Sequence, residues 1–171
     1  MKPRFRIGNG YDIHPLVAGG VLTLGGITIP ADRGYRTGTD HDVLLHSLID
    51  ALAGALCLGD VSDFLTDSSV IGASNADPFK ALTKLIYDAG YVIANVDFNI
   101  IVGTIMIRPY VQDIRRKVAQ RLNIDLEQVS IKGRSNDGFR EEGEGLAISS
   151  LAAVCVQARR GGPRLLDGKR G

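Results

Sequence analysis

At 171 residues the chain fits one domain with room for a substantial core. A net charge of +1, with 44% hydrophobic and 23% charged residues, gives no reason to expect nucleic acid or a membrane as partner. The longest apolar stretch holds His46 and Asp50, so it is no membrane span, and a strand pattern starting within a few residues of Met1 leaves no room for a leader. The cytoplasm is the expected compartment.

Phe5 to His14 reads as a strand, with Asp12 and His14 at i, i+2 on one face and Pro15 as its stop. Gly8 and Gly10 leave its backbone open to a close approach or a bulge. Val21–Leu24 and Ile27–Ile29 flank Gly25-Gly26, a hairpin signal. From Val43 to Leu58, Leu44, Leu45, Leu48, Ile49, Leu52 and Leu56 recur at helical spacing, and Thr39 followed by Asp42 suggests a capping box at the start. On this helix Asp42, His46 and Asp50 share a face, so either carboxylate is a candidate to hold the second nitrogen of His46. The free amides that follow Gly38 make the helix start an anion site.

Residues 59–77 lack periodicity and read as a long functional or mobile loop. A second helix is punctuated by Asp77 as cap, Pro78 at its first position and Gly90 as stop, with Phe79, Leu82, Leu85, Ile86 and Ala89 as its apolar stripe. Val92, Ala94, Val96, Phe98, Ile100 and Val102 alternate with polar residues, and Asn95, Asp97 and Asn99 on the other side point to an interface or cavity. Pro109 opens a third helix, with Val111, Ile114, Val118 and Leu122 inward and Arg115, Arg116, Lys117 and Arg121 as a solvated face. Val129–Lys132 is a short strand and 133–145 a glycine-containing loop; Leu146–Gln157 is apolar and reads as helix or strand, with Ser149-Ser150 and the Val154, Val156 pair favouring strand. Cys57 and Cys155, without metal-type spacing, read as buried reduced thiols.

The expected organisation is one domain over residues 1–158 and a basic, flexible tail over 159–171, with no internal repeats. The expected fold is α/β (α+β): a mixed sheet of four to five strands with helices on one face, plus the hairpin. For chemistry, two of the three histidines stand beside carboxylates. Asp12, His14 and His46 make a three-ligand set with an open fourth position, the catalytic zinc pattern; the alternative for each histidine is a satisfied core or surface residue.

Arg6-Ile7-Gly8-Asn9-Gly10-Tyr11-Asp12-Ile13-His14, the Gly25-Gly26 hairpin, Thr39-Asp40-His41-Asp42-Val43-Leu44-Leu45-His46-Ser47-Leu48-Ile49-Asp50-Ala51-Leu52, Gly59-Asp60 and Gly143-Glu144-Gly145 occur in this order. Together they resemble the 2-C-methyl-D-erythritol 2,4-cyclodiphosphate synthase family over about residues 4–158. The resemblance implies a homotrimer with active sites between subunits, one zinc per subunit on Asp12, His14 and His46, and a second divalent cation, magnesium or manganese. It implies conversion of 4-diphosphocytidyl-2-C-methyl-D-erythritol 2-phosphate to the cyclic diphosphate with release of CMP, in the non-mevalonate isoprenoid pathway.

By motif position it makes Gly38 and Ser135 catalytic and assigns Thr39 to phosphate binding. Asp60, Val61 and Ser62 correspond to the ribose segment, and Leu65, Asp67 and Ser69 to a mobile substrate loop. Val102, Gly103, Thr104, Ile105, Met106 and Arg108 correspond to the cytosine pocket. Lys132, Arg134, Asp137 and Phe139 fall in or beside the diphosphate and second-metal segment. Asp42 and Asp50 take supporting roles behind the ligands.

The chain departs from the family's pattern at several positions. The family has His where Asn9 and Gly38 stand, Gly at His41, Thr-rich sequence at Arg134-Ser135-Asn136 and Glu at Asp137, and two more residues before Gly138. Pro and Lys are common where Ile105 and Met106 stand, and an Arg that binds isoprenoid diphosphate in some members is Glu142 here. Two readings stay open from sequence: a diverged working cyclase, in which Arg134 or His41 supplies lost positive charge, or a homologue that binds zinc and a cytidine nucleotide or phosphate ester with little or no cyclisation. A purely structural zinc trimer is disfavoured by the open ligand set and the polar loops around it.

Overall fold

The computed structural model describes residues 2–36, 42–59 and 77–159. Its centre is a four-stranded mixed sheet in the order β1-β8-β6-β7. The strands are β1 (Phe5–Pro15), β6 (Tyr91–Ile101), β7 (Val129–Arg134) and β8 (Ala147–Ala158). β8 is antiparallel to both neighbours, while β6 and β7 run parallel. Two-residue strands β2 (Val17–Ala18) and β5 (Arg33–Gly34) pair with each other, and β3 (Leu22–Leu24) and β4 (Ile27–Ile29) form the expected hairpin around Gly25-Gly26. Both glycines have positive φ, the conformation such a two-residue turn requires.

Three helices cover one face of the sheet: α1 (Val43–Leu56), α2 (Pro78–Asp88) and α3 (Val111–Leu122). A single-turn helix, α4 (Arg140–Gly143), precedes β8. Leu44, Leu48 and Leu52 of α1, Phe79, Leu82 and Ile86 of α2, and Ile114 and Val118 of α3 meet Val96, Phe98, Ile100, Ile148, Val154 and Val156 in one core. Each such side chain contributes roughly 1.5–3 kcal/mol by leaving water. No described helix is long and apolar enough to cross a membrane.

The approach of α1 to β1 is set by glycine. A Cβ on Gly8 would stand 1.9 Å from the Ala51 carbonyl oxygen, and one on Gly10 2.1 Å from that of Ser47. Only a bare backbone lets the helix lie this close to the strand.

Several sequence expectations need correction. The cap of α1 is Asp42, whose side chain accepts from Leu45 N at 3.2 Å; Thr39 lies outside the described residues. Pro15 ends β1 from within rather than stopping it at His14. The alternation in β6 breaks at a bulge between Ile93 and Asn95, so Tyr91 and Ile93, not Val92 and Ala94, join Val96 on the buried face. Arg108–Tyr110 is a 3₁₀ turn ahead of α3. Arg115 does not belong to a solvated face: it is half-buried and donates to the carbonyls of Val129 (2.7 Å) and Leu126 (2.9 Å), tying α3 to the start of β7. The cysteines are free but not buried. Cys57 caps α1 in the left-handed conformation and accepts from Arg6 Nη2 at 2.8 Å, while Cys155 is half-buried. The 59–77 loop and the basic tail lie, but for their end residues, outside the described part of the chain.

Candidate metal centre and nucleotide pocket

Asp12 and His14 leave β1 on the face turned toward α1, and His46 stands one turn into that helix. Their ligand atoms all lie within 4.8 Å of one another, and the three residues are half-buried. Asp12 Oδ2 is 3.0 Å from His14 Nε2 and 3.1 Å from His46 Nδ1. These spacings fit the donor set of a tetrahedral zinc site, in which ligands about 2.0 Å from the ion stand about 3.3 Å apart. Two imidazole nitrogens and one carboxylate oxygen are a donor set that suits a divalent metal ion.

Burial acts to raise the Asp12 carboxyl, but the hydrogen bond from His46 and the charges of His14 and His46 outweigh it and hold Asp12 below its ordinary value. It is therefore a carboxylate at neutral pH. Tyr35 is pushed far upward, first by burial and then by the charge of Asp42, so it stays a neutral phenol. Its ring meets His14 edge-on with centroids 6.2 Å apart, and the two histidine rings pack edge-on at 5.8 Å.

Asp42, read from sequence as a partner for His46, is buried at the start of α1, where it also accepts from Gly26 N at 3.0 Å. It fastens the β3–β4 hairpin to the helix that carries His46. The acid facing His46 Nδ1 is Asp12, which arrives from the strand and not from the helix. Asp50 is half-buried, with its Cβ 2.7 Å from where a Gly10 Cβ would stand. Behind the triad, Ser47 Oγ and Ser150 Oγ hydrogen-bond at 2.8 Å, both fully buried, and Ser47 Oγ also donates to Leu44 O. Sequence reasoning missed Tyr35 and this serine pair. An aromatic after Gly34 and a serine one residue after His46 carry no distinctive pattern.

A cavity of about 320 Å³ opens at the same end of the sheet, beyond β6. The sequence-predicted Val102, Gly103, Thr104, Ile105, Met106, Arg108, Arg134 and Ser135 all line it, together with Ile107 and Gly133. Val102 N donates to Arg134 O at 2.9 Å, which carries the β6–β7 pairing past the strand end. Gly133 keeps the floor low, since a Cβ there would come within 2.9 Å of Ile107 Cγ1.

Lys132 is not in this lining; it is ion-paired with Asp97 across the β6–β7 edge. Asp137 and Phe139 follow on an exposed turn in which Asn136, Asp137 and Gly138 all have positive φ and Ser135 Oγ accepts from Asp137 N at 3.3 Å. The turn is pressed onto the pocket rim through glycines: a Cβ on Gly103 would lie 2.0 Å from Gly143 O, and one on Gly143 2.3 Å from the Gly138 carbonyl carbon. Gly38, Thr39, Asp60, Val61, Ser62, Leu65, Asp67 and Ser69 lie outside the described residues, as does His41.

Comparisons with known proteins point to one family. A model of the YgbB family matches residues 5–157. The chain is 38% identical over 157 residues to a 2-C-methyl-D-erythritol 2,4-cyclodiphosphate synthase of Burkholderia cenocepacia, covering 90% of this chain and 98% of the relative. It is 41% identical over 153 residues to the synthase of that name from Desulfitobacterium hafniense, covering 88% and 97%. Among solved structures it is similar to Plasmodium falciparum IspF in complex with CDP, at 30% identity and a TM-score of 0.79, covering 94% of this chain and 100% of that one. The Plasmodium vivax synthase matches at 29% identity and a TM-score of 0.75, over 91% and 99%.

Proposed function

The chain belongs to the YgbB family, and we propose on that premise that it closes 4-diphosphocytidyl-2-C-methyl-D-erythritol 2-phosphate to 2-C-methyl-D-erythritol 2,4-cyclodiphosphate with release of CMP, in the non-mevalonate isoprenoid pathway. The observation that carries this reading is the triad of Asp12, His14 and His46 at the same sheet end as the pocket walled by residues 102–108 and 133–135.

In the reaction an oxygen of the 2-phosphate bonds to the β-phosphorus, and the bond from that phosphorus to the bridging oxygen of CMP breaks. A phosphate nucleophile is already ionised, so no general base is needed; the obstacles are repulsion between anions and the geometry of ring closure. Asp12, His14 and His46 would hold one zinc per subunit, which when bound supplies a Lewis acid for a phosphoryl oxygen. Ser135 presents a hydroxyl beside the pocket, and Asp137 on the following turn is the candidate contact for a second cation, magnesium or manganese. Gly38 and Thr39 offer backbone amides to a phosphate. By motif position residues 60–62 are assigned to the ribose, and Leu65, Asp67 and Ser69 to further substrate contacts. Tyr35, kept neutral, serves the triad as packing and not as a base.

The active form is a homotrimer with its sites between subunits. β1 and β8 turn Phe5, Ile7, Tyr11, Ile13 and Leu151 outward on the helix-free face, with Ile7 75% exposed, an apolar stripe that further copies would cover. Within one chain the triad strand and β7 are three strands apart, about 14 Å at the ordinary strand spacing. A neighbour's pocket meeting each triad closes that gap. Phosphorylated substrate and nucleotide product fit a cytoplasmic enzyme.

Purified protein given zinc, magnesium and the CDP substrate is expected to release CMP and the cyclic diphosphate in equal amounts. CMP with a linear bisphosphate, or cytidine-nucleotide binding without turnover, would contradict the proposal.

A further inference from the structure

The pocket assigned to the cytidine end carries positive charge that its own walls do not neutralise. Arg108 and Arg134 both line it, Thr104 and Ser135 add hydroxyls, and no Asp or Glu is in the lining. Among the described residues neither guanidinium has a carboxylate within 4.0 Å. Other cations nearby in the fold are committed: Lys132 to Asp97, Arg116 to Asp113, and Arg115 to two backbone carbonyls.

The topology brings the two arginines together. β6 and β7 run parallel, so the segment leaving β6 and the last residue of β7 emerge at the same end of the sheet, with Ile101 opposite Arg134. Ile107 then folds over Gly133 and lowers the Arg108 turn onto β7. A guanidinium keeps its charge at any physiological pH, and two arginines lining one cavity favour an anion there. The planar fork of each matches phosphoryl oxygens.

We propose that Arg108 and Arg134 are specificity-determining residues that recognise the phosphate groups of the cytidine nucleotide directly, so that the pocket ranks cytidine compounds by phosphate charge without a magnesium ion. This rests on the reading of the cavity as the nucleotide site. It deepens that reading by giving two side chains of the lining, Arg108 and Arg134, to the phosphates.

The test is calorimetric titration of the full-length protein with cytidine, CMP, CDP and pyrophosphate, in buffer freed of added divalent cations, at low and high salt. CDP is expected to bind at least about tenfold more tightly than cytidine, and the gap should shrink as salt rises. Arg108→Gln and Arg134→Gln should each narrow the gap severalfold, by weakening CDP more than cytidine. Arg134→Lys should restore part of it, since it keeps the charge and loses the fork. A gap that survives both glutamine substitutions, or CDP no tighter than cytidine until magnesium is added, would overturn the assignment while leaving the cytidine site standing. If no cytidine compound binds and no CMP is released, the proposed function fails instead; pyrophosphate binding that disappears in both glutamine variants would still support the arginines, and its absence from the unaltered protein would refute them.

Discussion

The two ends of the candidate site are built differently. At the β1–α1 corner three side chains from a strand and a helix are held by backbone pressed on backbone at Gly8 and Gly10, by the buried Ser47–Ser150 pair, and by Asp42 tying hairpin to helix. At the β6–β7 end the walls are largely main chain beyond the strands, the charged groups sit at the rim, and Met106 is 75% exposed. The difference separates two tasks. Ligands for an ion must be placed within a few tenths of an ångström and so stand on packed elements, whereas recognition of a nucleotide tolerates loops.

Removing a ligand should break the first end most severely. His46→Ala is expected to abolish metal binding, from one zinc per subunit to none, and to lower CMP release by about 100- to 1,000-fold or more, with the far-ultraviolet circular dichroism unchanged. Zinc retained at one per subunit, measured by atomic emission, would contradict the ligand assignment.

The next largest effect tests the glycine contact. Gly8→Val should force α1 off β1 and destabilise the fold by about 3 kcal/mol, seen as a lower urea midpoint; Gly54→Ala on the same interface, whose Cβ would stand 3.8 Å from its nearest neighbour, should cost far less. Equal midpoints for the two variants would show that close approach does not set this corner.

A smaller change probes the serine pair behind the triad. Ser47→Ala strands the buried Ser150 hydroxyl and should cost about 1–2 kcal/mol, and adding Ser150→Ala should cost less than the sum of the single changes. Strict additivity in the double-mutant cycle would mean that the pair does not act as a unit.

The smallest effect belongs to the other end. Burial acts to raise the Asp97 carboxyl, yet the hydrogen bond and charge of Lys132 hold it below its ordinary value. The folded-state value being the lower one, ionised Asp97 stabilises the fold above the unfolded value of about 3.9 and loses that contribution as pH falls through the folded value. The urea midpoints of the unaltered protein and Asp97→Asn should therefore differ slightly near pH 6 and converge toward pH 2. A gap independent of pH would assign the effect to packing.

Much of the packed corner was legible because its signals are local. Asp12-x-His14 on a strand, His46 on an amphipathic helix, and the Asp77-Pro78 start and Gly90 stop of α2 each follow from residues a few positions apart. What sequence could not place were contacts made across elements. The carboxylate facing His46 comes from β1, although two acids share the face of His46 on its own helix. Arg115 looks like part of a basic surface run until β7 supplies its carbonyl acceptors. The bulge at Ala94 is invisible in an alternating pattern, and the stacking of Gly103, Gly138 and Gly143 depends on a turn whose left-handed residues no period announces. At the β6–β7 end, the resemblance named residues that line the cavity, and the parallel pairing of β6 with β7 explains why those two segments meet.

The account stands or falls on triad and pocket meeting across subunits. Co-expression of two separately tagged chains, one carrying His46→Ala and the other Arg108→Glu with Arg134→Glu, isolates mixed trimers of two inactive parents. If each site takes its triad from one subunit and its pocket from the next, every mixed trimer holds one complete site of three, and CMP release should return to about one third of the unaltered level. Mixed trimers as inactive as their parents would place both halves of the site within a single chain and contradict the account.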